Sequence, residues 1–391
     1  MGSVIDYKTQ KNKVSGSRRR PELELLRSLA MMMVIILHFL GKGGLLGELS
    51  DPDMQPVRAA AWVLEAFAIG AVNLYMLLSG YFLSRSHFKL SRLLRLWLQV
   101  WTYSAGIGLA AAALGFVPRE EINTYFLLRL LFPVLEEHYW FLTAYVFLYL
   151  LLPLIGSAVS GMDRRTFQLV LALFLTVFCL TKTVLPFEYD TDSRGYDCLW
   201  YLCVFLTAAY IRRFGIPFLE KKGRGFLLYL GALFLSLVWG GGFRAVYLNT
   251  GHFERILGNS FHYNHLFPYL AAVGLFCAFL RLKIPEGFFS RLTVWVGPYT
   301  LGVYLLHENL AVRNQWPLWL GADKIVSVTG LVLHLLLAIL TVFPLGILVE
   351  WIRSLAMKGL HSVLLHFKGY RAAVAKIQAA DKLFIRQAQE D

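Results

Sequence analysis

The sequence at residues 27–46 reads RSLAMMMVIILHFLGKGGLL. A helix of about 20 apolar residues is long enough to cross the roughly 30 Å of hydrocarbon in a bilayer. Apolar residues would surround this helix on all sides, whereas a helix on the surface of a soluble protein has a polar face. No small-residue cleavage site follows the apolar run, so we interpret it as a retained membrane span and not as a signal peptide.

Nine further segments have the same apolar character. They lie at approximately 60–83, 93–115, 138–156, 166–186, 197–214, 225–242, 265–281, 290–310 and 327–352. The composition agrees, because 57% of the 391 residues are hydrophobic and 16% are charged, whereas soluble domains have about 25% charged residues. The sequence therefore predicts an all-α fold, a polytopic membrane helix bundle with about ten transmembrane helices.

The connecting segments alternate between basic and acidic composition. The basic set contains the N-terminal tail, Arg85, Lys89, Arg92, Arg164, Arg165, Arg212, Arg213, Lys221, Lys222, Arg224, Arg281, Lys283, Arg291 and the tail from Arg353. The acidic set contains Asp51, Asp53, Glu120, Glu121, Glu136, Glu137, Glu188, Asp190, Asp192 and Asp323. Because basic loops stay on the cytoplasmic side of a membrane, we expect the first set and both termini in the cytoplasm.

The chain divides into three predicted parts. Residues 1–20 form a basic cytoplasmic tail, 21–353 form the transmembrane domain, and 354–391 form an amphipathic cytoplasmic tail. The net charge is +13, but the basic residues lie between apolar blocks, which indicates membrane topology and not a nucleic-acid partner. The four cysteines have no paired spacing, so we predict neither a metal site nor a disulfide framework.

The first span carries a polar stripe. The eleven steps from Arg27 to His38 correspond to about 20° around a helix and about 16 Å along it, and Glu24 lies about 40° from His38. Arg27 then lies at the cytoplasmic edge and His38 close to the bilayer midplane, where an ionisable residue is costly unless it faces a polar interior. The histidine is either a general base for a hydroxyl group or is simply hydrogen-bonded to a neighbouring helix.

A second basic cluster begins the third span, with Lys89, Arg92 and Arg95 three residues apart. Arg92 and Arg95 are neighbours on a helix, and guanidinium groups bind phosphates through paired hydrogen bonds. The same residues would serve equally well as ordinary cytoplasmic anchors. Together with Arg27 at the same membrane level, they form a candidate site for a multiply phosphorylated cytosolic ligand.

Other polar and aromatic residues near span ends are candidates for contacting an acceptor or supporting the site. They are Asn73, Ser79, Tyr81, Trp140, Tyr145, Tyr304, His307 and Glu308. Single Trp and Tyr residues near span ends are typical membrane-interface anchors. A His-Glu pair at an external helix end is less routine and could contact a polar acceptor, and Glu65 suggests the same interpretation more weakly.

Five segments, in this order, resemble acyltransferase family 3, the integral-membrane O-acyltransferases. They are ELELLRSLAMMMVIILHF (22–39), GAVNLYMLLSGYFLSR (70–85), KLSRLLRLW (89–97), HYWFLTAYVFLYLLLPLI (138–155) and LGVYLLHENLAVRNQW (301–316). The similarity spans about residues 20–355, and the motifs most resemble those of the bacterial polysaccharide acetyltransferase-like branch. The resemblance implies a multi-pass protein of the bacterial plasma membrane.

The resemblance also implies a reaction and its residues. An acyl group, commonly acetyl, would pass from cytosolic acyl-CoA to a hydroxyl of a cell-surface polysaccharide or glycolipid. His38 would be the catalytic histidine, with Arg27 in the same motif, and Glu24 stands where the family often has Asp. Arg92 and Arg95 would match the paired arginines that the family uses for acyl-CoA. We expect no permanently bound cofactor, and as partners the acyl-CoA donor, the glycan acceptor and the bilayer.

Two other functions fit the spans. A transporter or flippase of glycolipid precursors would show inverted repeats or paired helices broken by Gly and Pro, and neither pattern is clear in this sequence. In a sensor or scaffold, Arg27 and His38 would be incidental. Hydrolysis of acyl-CoA by the purified protein would separate an enzyme from both alternatives.

The charge pattern yields a test of orientation. Reporters fused to either terminus should read cytoplasmic, and a cysteine placed near Asp51 or Asp190 should react with an impermeant thiol reagent added from outside. The chain without added cysteines sets the background, since it carries four native ones. Labelling of the two positions from the cytoplasmic side alone would overturn the predicted orientation.

Overall fold

The computed structural model describes residues 19–134, 138–185 and 193–390, with side chains to residue 384. All regular structure in these ranges is helical, as the sequence predicts. The helices are α1 Pro21–Lys42, α2 Pro56–Ala68, α3 Ala71–Leu83, α4 Leu90–Ala113, α5 Thr124–Leu131, α6 Trp140–Gly161, α7 Arg164–Leu175, α8 Thr181–Val184, α9 Cys198–Phe214, α10 Arg224–Thr250, α11 Glu254–Asn259, α12 Leu266–Arg281, α13 Phe288–Val296, α14 Thr300–His307, α15 Trp316–Trp319, α16 Val328–Leu364 and α17 Lys368–Glu390. Most of the predicted N-terminal tail, and the predicted external residues Glu136, Glu137, Glu188, Asp190 and Asp192, lie outside the described ranges.

Six helical segments are long and apolar enough to cross a membrane. They are Pro21–Lys42, Pro56–Leu83, Trp140–Gly161, Arg164–Val184, Arg224–Thr250 and Val328–Leu364, and they match six of the ten predicted spans. The other four predictions fall on α4, α9, α12 and the pair α13–α14. Helices α9 and α12 have 17 and 16 residues, and α13 is separated from α14 by a short turn. The number of ten spans and the cytoplasmic termini stay predictions.

Helix α1 lies at the centre of the bundle. It packs against α2, α3, α12, α13, α14 and α16. Leu26 and Ile35 are completely buried although they lie on opposite sides of the helix. The absence of a polar face in this segment therefore reflects burial among other helices, which holds the Arg27–His38 stripe at a defined position.

The segment from Phe288 to His307 is interrupted at Gly297–Tyr299. Gly297 lies against the Glu24 side chain of α1, and a β-carbon at this position would collide with the Glu24 carboxylate. Glycine thus permits close approach of α1 to the start of this segment. At the other end of the segment, His307 reaches α1 beside His38.

A buried polar network joins α16 to α4. The Glu350 carboxylate accepts hydrogen bonds from Gln99 at 3.0 Å and from the Tyr103 hydroxyl at 2.9 Å. Arg353 donates two further bonds to it at 2.6 and 2.7 Å. All the lone pairs of a buried carboxylate are thereby used, as burial in an apolar environment demands. The network fixes α4 and its basic first turn relative to the rest of the bundle.

The C-terminal region differs from the predicted boundary at residue 354. Helix α16 continues without interruption to Leu364, and a second helix, α17, follows. Helix α17 packs against the start of α4: the Asp381 carboxylate accepts the Ser91 N–H at 3.1 Å, and the rings of Phe88 and Phe384 lie 4.8 Å apart. Apolar residues on one side of α17 thus have a protein surface to bind, where we had predicted a helix at the membrane interface.

Candidate functional site

Five polar side chains meet where α1 and the end of α14 touch. His38 Nδ1 lies 2.9 Å from His307 Nε2 and 3.1 Å from Glu308 Oε2. The Lys42 ammonium, one turn beyond His38 on α1, donates to the same Glu308 oxygen. Arg313 lies 3.8 Å from the other carboxylate oxygen. The structure therefore brings together His38, His307 and Glu308, which the sequence predicted as separate candidate residues.

The hydrogen-bond partners define which nitrogen of His38 is free. His307 Nδ1 lies 2.6 Å from the Val303 carbonyl oxygen, which can only accept, so this nitrogen carries a hydrogen. In the neutral ring His307 Nε2 is then the acceptor, so His38 Nδ1 donates to it at 2.9 Å, and Glu308 Oε2 lies 3.1 Å from the same His38 nitrogen. His38 Nε2 consequently keeps its lone pair and can accept a proton, while the hydrogen bond to His307 orients the ring and the Glu308 charge lies beside it.

The same cluster has the composition of a metal site. One donor atom each from His38, His307 and Glu308 lies within 4.8 Å of the others. The Lys42 ammonium already contacts the Glu308 oxygen that faces His38, and the Arg313 guanidinium lies on its other side. A divalent ion would be repelled by both cations, so the cluster is better suited to proton transfer.

The Arg27 end of the stripe is a separate cluster. Arg27 Nη1 donates to Glu24 Oε2 at 2.8 Å, and the Tyr75 hydroxyl donates to the Arg27 carbonyl at 2.9 Å. Glu24 is 5% exposed and lies about 21 Å along α1 from His38. The structure therefore does not bring Glu24 to the histidine cluster, and its assignment to the catalytic group with His38 stays a prediction. Glu24 instead holds the Arg27 side chain in position.

His38 is also farther along the helix than the sequence suggested. Since α1 runs from Pro21 to Lys42, His38 lies about 25 Å from its start and about 6 Å from its end. We had placed this histidine near the middle of the span. It belongs to the C-terminal half of α1, at the opposite end from Arg27.

The paired arginines of α4 face different surroundings. Arg92 is half-buried, with its guanidinium 5.9 Å from the centre of the Tyr149 ring. Arg95 is exposed and donates to the Ser91 carbonyl of its own helix. The backbone of Lys89 is bonded in both directions to the Tyr149 hydroxyl. Arg92, and not Arg95, is thus the arginine that points to the bundle.

Tyr145 connects Arg92 with Arg27. Its hydroxyl lies within electrostatic range of both guanidinium groups, and its ring stacks on that of Tyr149, 6.0 Å away. We had grouped Tyr145 with residues that contact an acceptor or support the site. The structure places its hydroxyl near both arginines of the candidate phosphate site, and its role stays a prediction.

Aromatic rings fill the space between the two clusters. The Tyr304 ring lies 6.4 Å from His38 and 6.3 Å from Phe141. Phe141 in turn lies 6.1 Å from Tyr75, whose hydroxyl bonds the Arg27 backbone. A continuous aromatic column therefore runs from His38 to Arg27, and Tyr304 is part of it.

Trp140 and Asn73 belong to the side of the bundle away from Arg27. The Trp140 ring lies 4.4 Å from Tyr196 and 5.8 Å from Tyr263. Asn73 is fully buried, donates to the Tyr263 carbonyl at 2.8 Å and accepts from the Trp200 indole N–H at 2.9 Å. Asn73 thus holds the backbone of Tyr263 in place, and its contribution is positional.

Two of the predicted residues lie elsewhere. Tyr81 carries the Arg212 guanidinium 4.4 Å above its ring and lines a cavity of about 360 Å³ together with Arg20 and Arg281. This cavity lies at the Arg20 end of α1, far from His38, so Tyr81 is not close to the histidine cluster. Ser79 lies beside the Tyr201 hydroxyl within the aromatic interior.

Two charged residues of the site went unnoticed in the sequence. Lys42 follows His38 by four residues and so shares its helix face, a signal that could have identified it. Arg313 follows Glu308 in an irregular segment, and no local pattern points to it. The pairing of His38 with His307 joins residues 269 positions apart, which no spacing rule reveals.

Comparison with known proteins identifies the family of the chain. A family model described as an acyltransferase domain, that of acyltransferase family 3, matches residues 20–352. The chain therefore belongs to acyltransferase family 3, as its motifs suggested. With its apolar helices, it is a multi-pass membrane protein of the acyltransferase class. No curated protein and no solved structure matches the chain.

The Lys42–Glu308 pair can be tested by a double-mutant cycle. Lys42→Met should lower the free energy of unfolding by about 3–5 kcal/mol, because it leaves the buried Glu308 charge without its closest cation. Glu308→Gln removes that charge, so the double variant should lose less stability than the two single variants combined. Unfolding in a denaturing detergent measures all three, with Lys324→Met at an exposed lysine as the control. Additive losses would mean that the two side chains are not coupled.

Proposed function

We propose that the protein is a membrane O-acyltransferase that moves an acyl group, preferentially acetyl, from cytosolic acyl-CoA to a hydroxyl of a cell-surface polysaccharide or glycolipid. The observation that carries the proposal is the His38 ring, oriented by its Nδ1 hydrogen bond to His307 and lying beside the Glu308 carboxylate, so that Nε2 is free to accept a proton. Membership of acyltransferase family 3 supports the reaction class. The donor and the acceptor are part of the proposal.

In the proposed reaction, His38 acts as the general base. Its Nε2 takes the proton from the acceptor hydroxyl while that oxygen attacks the thioester carbonyl carbon. The new carbon–oxygen ester bond forms, the carbon–sulfur bond breaks, and the imidazolium returns the proton to the departing CoA thiolate. The Glu308 charge beside the ring stabilises the transient imidazolium. Transfer through a covalent acyl-His38 intermediate is the less favoured variant, because the oriented, proton-accepting Nε2 is what a base requires.

The donor would approach from the Arg27 end of α1. Coenzyme A carries phosphates, which cannot enter hydrocarbon without cations, and Arg27 and Arg92 are both within electrostatic range of the Tyr145 hydroxyl. The distance along α1 from Arg27 to His38 is about 16 Å. The pantetheine arm of CoA is an extended chain of comparable length, so phosphates held by the arginines leave the thioester near His38. The aromatic column of Tyr75, Phe141 and Tyr304 would line that path.

The first prediction from this proposal concerns His38. His38→Ala should lower acyl transfer by about 10²–10⁴-fold, the usual contribution of a general base. Membranes that contain the protein would be incubated with radiolabelled acetyl-CoA, and label in the glycan fraction would be counted. Insertion should be unchanged, since α1 keeps its apolar length.

The control for this experiment is His252→Ala, which removes an exposed histidine outside the cluster. It should transfer label like the parent chain. Undiminished transfer by a well-expressed His38→Ala protein would exclude this histidine from the mechanism.

The second prediction separates the paired arginines. Arg92→Ala should raise the KM for acyl-CoA about tenfold or more, because hydrogen bonds to charged groups contribute about 1.5–3 kcal/mol, while the acceptor KM changes little. Arg95→Ala should have a smaller effect, since Arg95 is exposed and bonded to its own helix. Arg92→Lys should recover part of the loss, because charge returns without the planar fork.

Arg165→Ala, at another exposed arginine, serves as the matched control. Steady-state kinetics with acyl-CoA varied at fixed acceptor gives each KM. Equal acyl-CoA affinity in folded parent and Arg92→Ala protein would show that Arg92 is a membrane anchor and not a donor contact.

A further inference from the structure

Helix α2 carries a buried carboxylate that the proposed reaction does not use. Glu65 is 9% exposed, and its Oε2 atom is buried without a hydrogen-bond partner among the described residues. Burying a carboxylate oxygen without a hydrogen-bond donor costs free energy. The cost is offset when a ligand supplies the missing donors, so this group marks a place where a ligand with hydrogen-bond donors is expected.

Two tyrosines lie near this carboxylate. The hydroxyls of Tyr196 and Tyr263 lie within electrostatic range of Glu65. The two rings are 4.7 Å apart, and both lie against Trp140. Tyr263 is buried, whereas Tyr196 is 44% exposed. The rings thus form a wall that begins inside the bundle beside Glu65 and ends at an open rim.

The open rim borders a cavity. Tyr196, together with Ser193, Arg194, Phe261 and His262, lines a space of about 460 Å³, which is within the range of small-molecule sites, about 300–1,000 Å³. Trp62 lies one turn before Glu65 on the same face of α2, and its ring is 5.0 Å from Phe261. The face of α2 that carries Glu65 is therefore the face that adjoins this cavity.

The carboxylate is also connected to the histidine cluster. Tyr196 lies within electrostatic range of both Glu65 and Glu308, and Tyr263 within range of both Glu65 and Tyr304. The Tyr304 ring lies 6.4 Å from His38. A ligand between Glu65 and the aromatic wall would thus extend to the reacting histidine, on the side opposite the Arg27 cluster.

We infer that Glu65, Trp140, Tyr196 and Tyr263 form a subsite for a neutral pyranose ring of the acceptor. A pyranose has an apolar C–H face, which packs on aromatic rings, and hydroxyls at its edge, which donate to a carboxylate. Both requirements are met at this position. An ionised Glu65 repels a second carboxylate or a phosphate placed beside it, which disfavours acidic sugars at the inner end of the subsite, whereas Arg194 lies at the cavity. The inference rests on the proposed function, since it names the class of sugar that the site acylates.

Binding can be tested without the donor. The full chain would be purified in lipid nanodiscs, because glycoside detergents would occupy the subsite. Saturation-transfer NMR would then measure binding of the methyl pyranosides of glucose, galactose, mannose and N-acetylglucosamine, with methyl glucuronide as the acidic comparator. At least one neutral pyranoside should bind, and the glucuronide should bind more weakly than the glucoside.

Variants locate the subsite. Glu65→Gln and Trp140→Ala should each weaken pyranoside binding about tenfold or more, as expected for loss of a charge-assisted hydrogen bond or of a stacking ring. Glu254→Gln, at an exposed glutamate of α11, should bind like the parent chain. If Glu65→Gln does not fold, Tyr196→Ala at the exposed rim tests the same wall.

The outcomes separate this inference from the proposed function. Equal pyranoside affinity in the parent and in folded Glu65→Gln or Tyr196→Ala, tighter binding of the glucuronide, or no pyranoside binding would each overturn the subsite. Acyl-CoA binding to the same samples is measured in parallel by calorimetry. Pyranoside binding that depends on Glu65, combined with no acyl-CoA binding, would refute the donor assignment and leave the sugar subsite standing.

Discussion

The burial of the Glu308 carboxylate is the constraint on which the site depends. An ionised carboxylate inside an apolar bundle costs several kcal/mol unless cations and hydrogen-bond donors surround it. Lys42 and His38 meet this requirement from α1, and Arg313 from the segment after α14. The same contacts lock the end of α1 to the end of α14. Satisfying one charge thus both orients a histidine and joins two distant parts of the chain.

At the other end of α1, a second buried carboxylate also joins this helix to the α13–α14 segment. Glu24 holds Arg27 and lies against Gly297, where the absence of a side chain allows α13 and α14 to approach α1 closely. Helix α1 is therefore attached at two levels to one interrupted segment. The two attachments hold Arg27 and His38 at a defined separation, with aromatic rings between them.

Local regularities explain what the sequence could predict. The length of the apolar segments predicted the six long helices, and helix periodicity placed Arg27 and His38 on one stripe. Both features depend only on residues within a single helix. The stripe placed Glu24 in the direction of His38 but about 21 Å away along the helix, and its grouping with His38 stays a prediction. The contact of His38 with His307 and the proximity of Tyr145 to the arginines depend on packing between helices. Nothing in the spacing of a single helix encodes such contacts.

The contact between α17 and α4 has a consequence for biosynthesis. The first turn of α4 lacks a side-chain cap of its own, and the Ser91 amide is satisfied by Asp381, 290 residues later. Chains emerge from the ribosome N-terminus first, so α4 is inserted long before its capping carboxylate exists. Until Asp381 has been made, that amide has only water or lipid headgroups as partners. The start of α4, next to Arg92, is therefore completed only after Asp381 has been made, and a chain that terminates before this residue would leave it unfinished.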